Sequence, residues 1–146
     1  MTVYLASRSP RRAELLDQVA IPFELIDAPV DETRGDGEKP LAYVERLAVE
    51  KAAAGFKAAN DRNAQVIGAD TIVVVDGDVF GKPSNEREAL AHLSALSGRV
   101  HEVFTAVAVS SVAGTRVRVV RSRVWFRALT DAEMRWYWRT GEPADK

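Results

Sequence analysis

The spacing of apolar positions changes several times along the chain, and each change marks an element. Residues 2–6, Thr-Val-Tyr-Leu-Ala, form an apolar run of the length of a buried strand. Ser9-Pro10 then starts a helix, with Ser9 in the N-cap position and Pro10 as the first helical residue. Leu15, Leu16 and Val19 give that helix an apolar stripe, and Ile21-Pro22 stops it. Phe23 to Ile26 reads as a second strand, and Asp27 to Lys39 as an acidic loop containing Gly and Pro. Pro40 opens a long helix with Leu41, Val44, Leu47 and Ala48 on one face, running to about Ala59. Residues 65–75 are apolar and β-branched, with an interruption expected at Gly68-Ala69-Asp70-Thr71.

Asp76-Gly77 is a two-residue hairpin signal, leading to a short strand at 78–80 and then to Gly81-Lys82-Pro83. Ser84 is the expected cap of a third helix that stops at Gly98. Val103 to Val112 and Arg116 to Phe126 read as long strands around an Ala113-Gly114 turn. Thr130 and Glu133 form a capping box for a final helix carrying Met134, Trp136, Tyr137 and Trp138. The order β-α-β-α-β-β-α-β-β-α, with two hairpin connections, predicts an α/β fold with a mixed sheet covered by helices.

Size and composition narrow this without naming a function. A chain of 146 residues suits one domain, and 47% apolar with 28% charged residues is ordinary for a globular protein. No apolar run approaches the roughly 20 residues of a membrane span, and the N-terminus lacks a signal-peptide pattern, so a cytoplasmic protein is expected. Without cysteine, disulfide and thiolate chemistry are excluded. A net charge of −1 means that any anion site is built locally.

The turn Ser7-Arg8-Ser9-Pro10-Arg11-Arg12 is such a local site. A helix N-terminus offers unpaired N–H groups and partial positive charge, Ser7 and Ser9 add hydroxyls, and arginines add forked donors for phosphate oxygens. A capped surface helix with solvated arginines gives the same pattern. Asp70 is a carboxylate in an apolar strand, so it is paired, binds a metal or takes a proton from water, unless it only caps a turn. Lys51 on the long helix and Lys82 in the Gly-Lys-Pro loop are candidates to neutralise phosphate charge, against the reading of solvated lysines. Glu32 in the acidic loop is a second candidate metal carboxylate. His92 and His101 lack companions for zinc, and His101 is read as structural. Trp125, Phe126, Trp136, Tyr137 and Trp138 are read as core aromatics. The competing reading joins them to Arg116, Arg118, Arg121, Arg123 and Arg127 as a platform for single-stranded nucleic acid.

In order along the chain, the segments at residues 5–12, Asp31-Glu32-Thr33, Glu50-Lys51-Ala52, Gly68 to Thr71, Gly81-Lys82-Pro83, Leu96 to His101 with Thr105, and Gly141 to Lys146 resemble the Maf family of nucleoside triphosphate pyrophosphatases. The likeness covers the whole chain, as a single domain over 1–146. It implies a twisted mixed sheet flanked by helices of the Maf / ITPase-like kind, and cleavage of a nucleoside triphosphate to monophosphate and pyrophosphate with a divalent cation, Mg²⁺ or Mn²⁺. By the same resemblance Asp70 accepts the proton, Glu32 and Asp70 lie near the metal, and Ser7, Arg11, Arg12, Lys51 and Lys82 surround the phosphates. Arg11 and Thr71 are similar to the dTTP- and UTP-preferring branch; the branch preferring 7-methyl-GTP has an aromatic residue in the place of Arg11. The family is also expected to continue past the position of Lys146 and to form homodimers. A non-catalytic nucleotide-binding regulator of cell division is the alternative outside enzymology. Nucleic acid and membrane are not expected partners.

Overall fold

The computed structural model describes residues 1–145. Strand β1 (Thr2–Ala6) leads into α1 (Pro10–Gln18), β2 (Glu24–Leu25), α2 (Pro40–Ala59), β3 (Ala64–Val75), β4 (Asp78–Phe80), α3 (Glu86–Leu96), β5 (Val100–Ser111), β6 (Gly114–Trp125) and α4 (Asp131–Arg139), followed by a 3₁₀ turn at Glu142–Asp145. The strands form a six-stranded sheet in the order β2-β1-β3-β5-β6, with β4 paired to β3. The sheet is mixed: β1 runs parallel to β2 and β3, and the β3–β4 hairpin is antiparallel. The element order and the α/β class are those predicted. No helix of the described residues is long and apolar enough to cross a membrane.

The chain packs as two compact units, one of Met1–Thr71 with Thr105–Val120, the other of Ile72–Phe104 with the chain from Arg121 on. In the first, α2 buries Val44, Leu47, Ala48, Ala52 and Gly55, a stripe at helical spacing. Its residues from Ala48 onward are small, so the helix comes very close to the sheet. A Cβ added at Gly55 would stand 2.7 Å from Val66 Cγ1, and one at Gly68 only 2.3 Å from the Ala52 backbone nitrogen. Ala6, Ala64 and Val66 complete this core, with Tyr4, Ile26, Phe56 and Ala59 against it.

In the second unit the β3–β4 turn has positive φ at both Asp76 (51°) and Gly77 (83°), as a tight hairpin requires. Helices α3 and α4 pack together, with the Ser94 hydroxyl 3.7 Å from Met134 Sδ. The α4 capping box forms as expected.

Three local expectations are corrected. Strand β3 is not interrupted at 68–71 but runs through Asp70; Gly68 is there because α2 leaves no room for a side chain, and Asp70 is paired, so no break is needed. The cap of α3 is Asn85, whose side chain accepts the Glu88 N–H at 2.9 Å. Ser84 bonds instead to the Glu88 carboxylate. The aromatics are not all core. Trp125 is 69% and Trp136 65% exposed, because α4 buries Met134 and Trp125 sits at the end of β6 with the Arg123 guanidinium 5.4 Å from its ring centre.

Candidate active site

The first unit gathers most of the nominated residues. After β1 the chain turns through Ser7 into α1, and Ser7 Oγ accepts hydrogen bonds from the Ser9 N–H (3.2 Å) and from Arg12 Nη1 (2.9 Å). Ser9 has the extended backbone of an N-cap, but its own side chain makes no capping bond. Arg12 Nη2 reaches Thr71 Oγ1 at 3.4 Å, and Thr71 Oγ1 lies 3.1 Å from Thr105 Oγ1. Arg8 is occupied elsewhere, forking onto the Asp27 carboxylate at 2.8 and 2.9 Å. Arg11 is exposed on the first turn of α1.

The centre of the cluster is Lys51. It lies four residues after Leu47 on α2, so it leaves the buried side of the helix towards β3. Asp70 shares a strand face with Val66 and Gly68, and the closeness of Gly68 to α2 brings Lys51 Nζ to 2.8 Å from Asp70 Oδ1. The same ammonium is 2.7 Å from Glu32 Oε1. Asp70 is only 9% exposed, so the pairing with Lys51 is what makes a carboxylate tolerable there. Burial pulls the Lys51 ammonium down, but its hydrogen bonds to Asp70 and Glu32, with their charges, outweigh this and leave its pKa raised. Burial lowers the Arg12 pKa, a shift that Asp70 and Glu32 oppose. Tyr43 is raised by burial and then by the same two carboxylates, so it too borders the cluster.

Two carboxylate oxygens converging on one cation are the start of a hard-cation site. A Mg²⁺-type ion uses one or two carboxylates and takes its other ligands from water and substrate phosphates, and Glu32 with Asp70 fit that partial set. Among the described residues no group of three or more His, Asp or Glu side chains could hold a metal alone.

Lys82 belongs to the second unit, exposed on the loop between β4 and α3. That unit also holds a cavity of about 270 Å³ lined by Asp76, Arg99, His101, Glu102, Arg121 and Arg123 among others. Its charges are largely paired within it: Arg99 to Asp76 at 2.6 Å, and Arg121 to Glu102. His101 is 5% exposed, meets Phe126 edge-on at 4.9 Å, and its Nδ1 has no partner among the described residues. Burial lowers its pKa. That is the environment of a packed structural side chain.

Sequence reasoning named Thr105 only as part of the family resemblance, and passed over Tyr43 and Arg46. Thr105 extends the Arg12–Thr71 chain of hydroxyls, while Tyr43 and Arg46 hold the loop that carries Glu32. Tyr43 and Arg46 lie three residues apart near the start of a helix that carries Lys51 further along, and that spacing was the available signal.

With this geometry in place, comparison with known proteins gives a consistent result. The family model described as Maf-like protein matches residues 2–146. The dTTP/UTP pyrophosphatase of Hydrogenovibrio crunogenus is 46% identical over 144 residues, covering 99% of this chain and 75% of that protein. Those of Pseudoalteromonas atlantica and Saccharophagus degradans are each 48% identical, over 97% and 99% of this chain and 75% and 70% of theirs. The residues gathered around Lys51 all lie within the matched region, and the chain belongs to the Maf-like protein family.

Proposed function

We propose that this chain is a cytoplasmic hydrolase that cleaves dTTP and UTP to the nucleoside monophosphate and pyrophosphate. The observation that carries the reading is the bridge from Asp70 through Lys51 to Glu32 beside the Ser7–Arg12 turn. Relatives at 46–48% identity that share nearly the whole chain are named for this activity. In the proposed reaction the oxygen of a water attacks the α-phosphorus, the bond from that phosphorus to the bridging oxygen breaks, and pyrophosphate leaves. Asp70 takes the proton from the water. Such a transfer needs positioning and neutralised charge more than covalent help.

Lys51, Arg12, Arg11 and the Ser7 hydroxyl are the groups we assign to the phosphates, with the N-terminus of α1 adding its N–H dipoles. Lys82, on a loop of the second unit, is kept as the phosphate cation that the family resemblance implies. Glu32 and Asp70 would hold the divalent cation, Mg²⁺ or Mn²⁺, which when bound neutralises phosphate oxygens and polarises the phosphorus. Arg11 and Thr71 are assigned to the pyrimidine preference.

The test is release of pyrophosphate from dTTP and UTP in the presence of Mg²⁺. Asp70→Asn, which keeps the shape and removes the base, is expected to lower kcat by about 100-fold or more. Undiminished turnover in that variant removes Asp70 from the chemistry, and a higher kcat/KM for 7-methyl-GTP than for UTP overturns the choice of substrate.

A further inference from the structure

Glu32 sits on residues 26–39, which contain no helix or strand, and its side chain is 60% exposed. Among the described residues its carboxylate has one partner, Lys51. A wet carboxylate on an irregular segment has many conformations available, and fixing it costs backbone entropy. Something else must hold the loop in register with α2, and the first two turns of α2 supply it.

Tyr43 Oη donates to the backbone carbonyl of Glu32 itself, at 2.6 Å. One turn on, Arg46 Nη2 donates to the carbonyl of Thr33 at 3.0 Å. The same guanidinium forks onto the Glu38 carboxylate, Nε to Oε2 at 2.8 Å and Nη2 to Oε1 at 2.9 Å. Its remaining nitrogen, Nη1, reaches Glu50 at 3.2 Å, one turn further along the helix. The Arg34 guanidinium closes the far side by donating to the Glu38 carbonyl. The two acceptors on Glu32 and Thr33 are backbone carbonyls, so these bonds fix the course of the chain at the residue that carries the carboxylate.

We propose that Tyr43 and Arg46 are positioning residues for Glu32, clamping the loop backbone to α2 so that the Glu32 carboxylate stays on Lys51 and opposite Asp70. The clamp deepens the pyrophosphatase reading and rests on it for its consequence in turnover. Its structural content stands apart from that reading. Neither residue is assigned to substrate, and both act through Glu32.

The experiment is a double-mutant cycle on the full chain, read by turnover and by amide hydrogen exchange. Tyr43→Phe removes one hydroxyl and leaves the ring. It is expected to speed exchange at residues 31–35, to raise the Mg²⁺ concentration needed for half-maximal rate, and to lower kcat/KM roughly fivefold to tenfold, the effect of one hydrogen bond. In a Glu32→Gln background the same change is expected to cost less than about twofold, because the carboxylate that the bond positions is gone. Arg46→Lys keeps the charge but loses the fork, and is expected to shift exchange at the same residues. Equal losses in the two backgrounds would show that Tyr43 does not act through Glu32. Unchanged exchange at 31–35 in both Tyr43→Phe and Arg46→Lys overturns the clamp itself. A wild type that turns over no nucleotide overturns the pyrophosphatase reading instead, and exchange then decides the clamp alone.

Discussion

At the scale of single residues, Gly68 is the glycine of the first unit with least room for a side chain, because it lies against α2. A Cβ there would lie 2.3 Å from the Ala52 nitrogen, 2.6 Å from the Ala48 oxygen and 2.9 Å from Ala52 Cα, all backbone atoms that cannot turn aside. Overpacking of this kind costs roughly 3 kcal/mol or more, so Gly68→Ala is expected to lower Tm by about 10 °C. Gly77 is the control: it has φ of +83° and open space around its Cβ position. Gly77→Ala therefore meets only the left-handed backbone penalty of about 1–2 kcal/mol. Thermal melts of the two variants decide the point, and a smaller shift for Gly68→Ala than for Gly77→Ala contradicts the close approach.

This residue also shows what the sequence carries. Asp70 was legible because a carboxylate in an apolar strand demands a partner, and Lys51 was legible as a cation near the buried stripe. The reason for Gly68 was not, since its neighbour is the backbone of a helix sixteen to twenty residues earlier in the chain, roughly, and backbone has no sequence signal. Tyr43 and Arg46 were hidden for the same cause: their loop acceptors are carbonyls.

At the scale of elements, the caps illustrate a charge effect that pH reveals. Thr130 and Glu133 close the N-terminus of α4 reciprocally, with Thr130 N–H to Glu133 Oε2 at 2.9 Å and Glu133 N–H to Thr130 Oγ1 at 3.2 Å. Arg127 adds a fork onto the same carboxylate at 3.0 and 2.9 Å. The Arg127 guanidinium first, and the Thr130 N–H second, hold the Glu133 carboxyl down from 4.5 to about 2. A carboxyl lowered in the folded state stabilises the fold above its unfolded pKa and loses that contribution as pH falls through the folded one. Glu133→Gln retains a capping side chain and removes the charge. The stability difference between wild type and this variant is thus expected to be full above pH 4.5 and gone near pH 2. Denaturant melts across that range measure it, and a difference independent of pH rules the ion pair out as its source. The capping box was legible because Thr and Glu at its spacing form a local signature. The α3 cap slipped by one residue because Ser84 and Asn85 both suit the role, and the Glu88 carboxylate captured Ser84.

At the scale of the whole molecule, the distribution of arginines decides between a catalyst and a nucleic acid binder. The net charge of −1 supplies no long-range attraction, and at physiological salt fields reach only about 8 Å. Binding would then depend on local arginines free to replace counterions, each phosphate contact contributing about 0.7 to the salt slope for single strands. Within the second unit that supply is reduced: Arg121 is paired with Glu102, Arg127 is forked onto Glu133, and Arg123 lies over Trp125, whose ring is one of the exposed stacking faces. In the first unit Arg116 and Arg118 are exposed on β6, too few to hold a strand against salt. We therefore expect no change in anisotropy of a labelled single strand of about 20 bases at about 0.15 M salt, up to tens of micromolar protein. Saturable micromolar binding that weakens with salt and disappears in Arg116→Glu with Arg118→Glu would reverse this. It would make the exposed tryptophans part of a binding face.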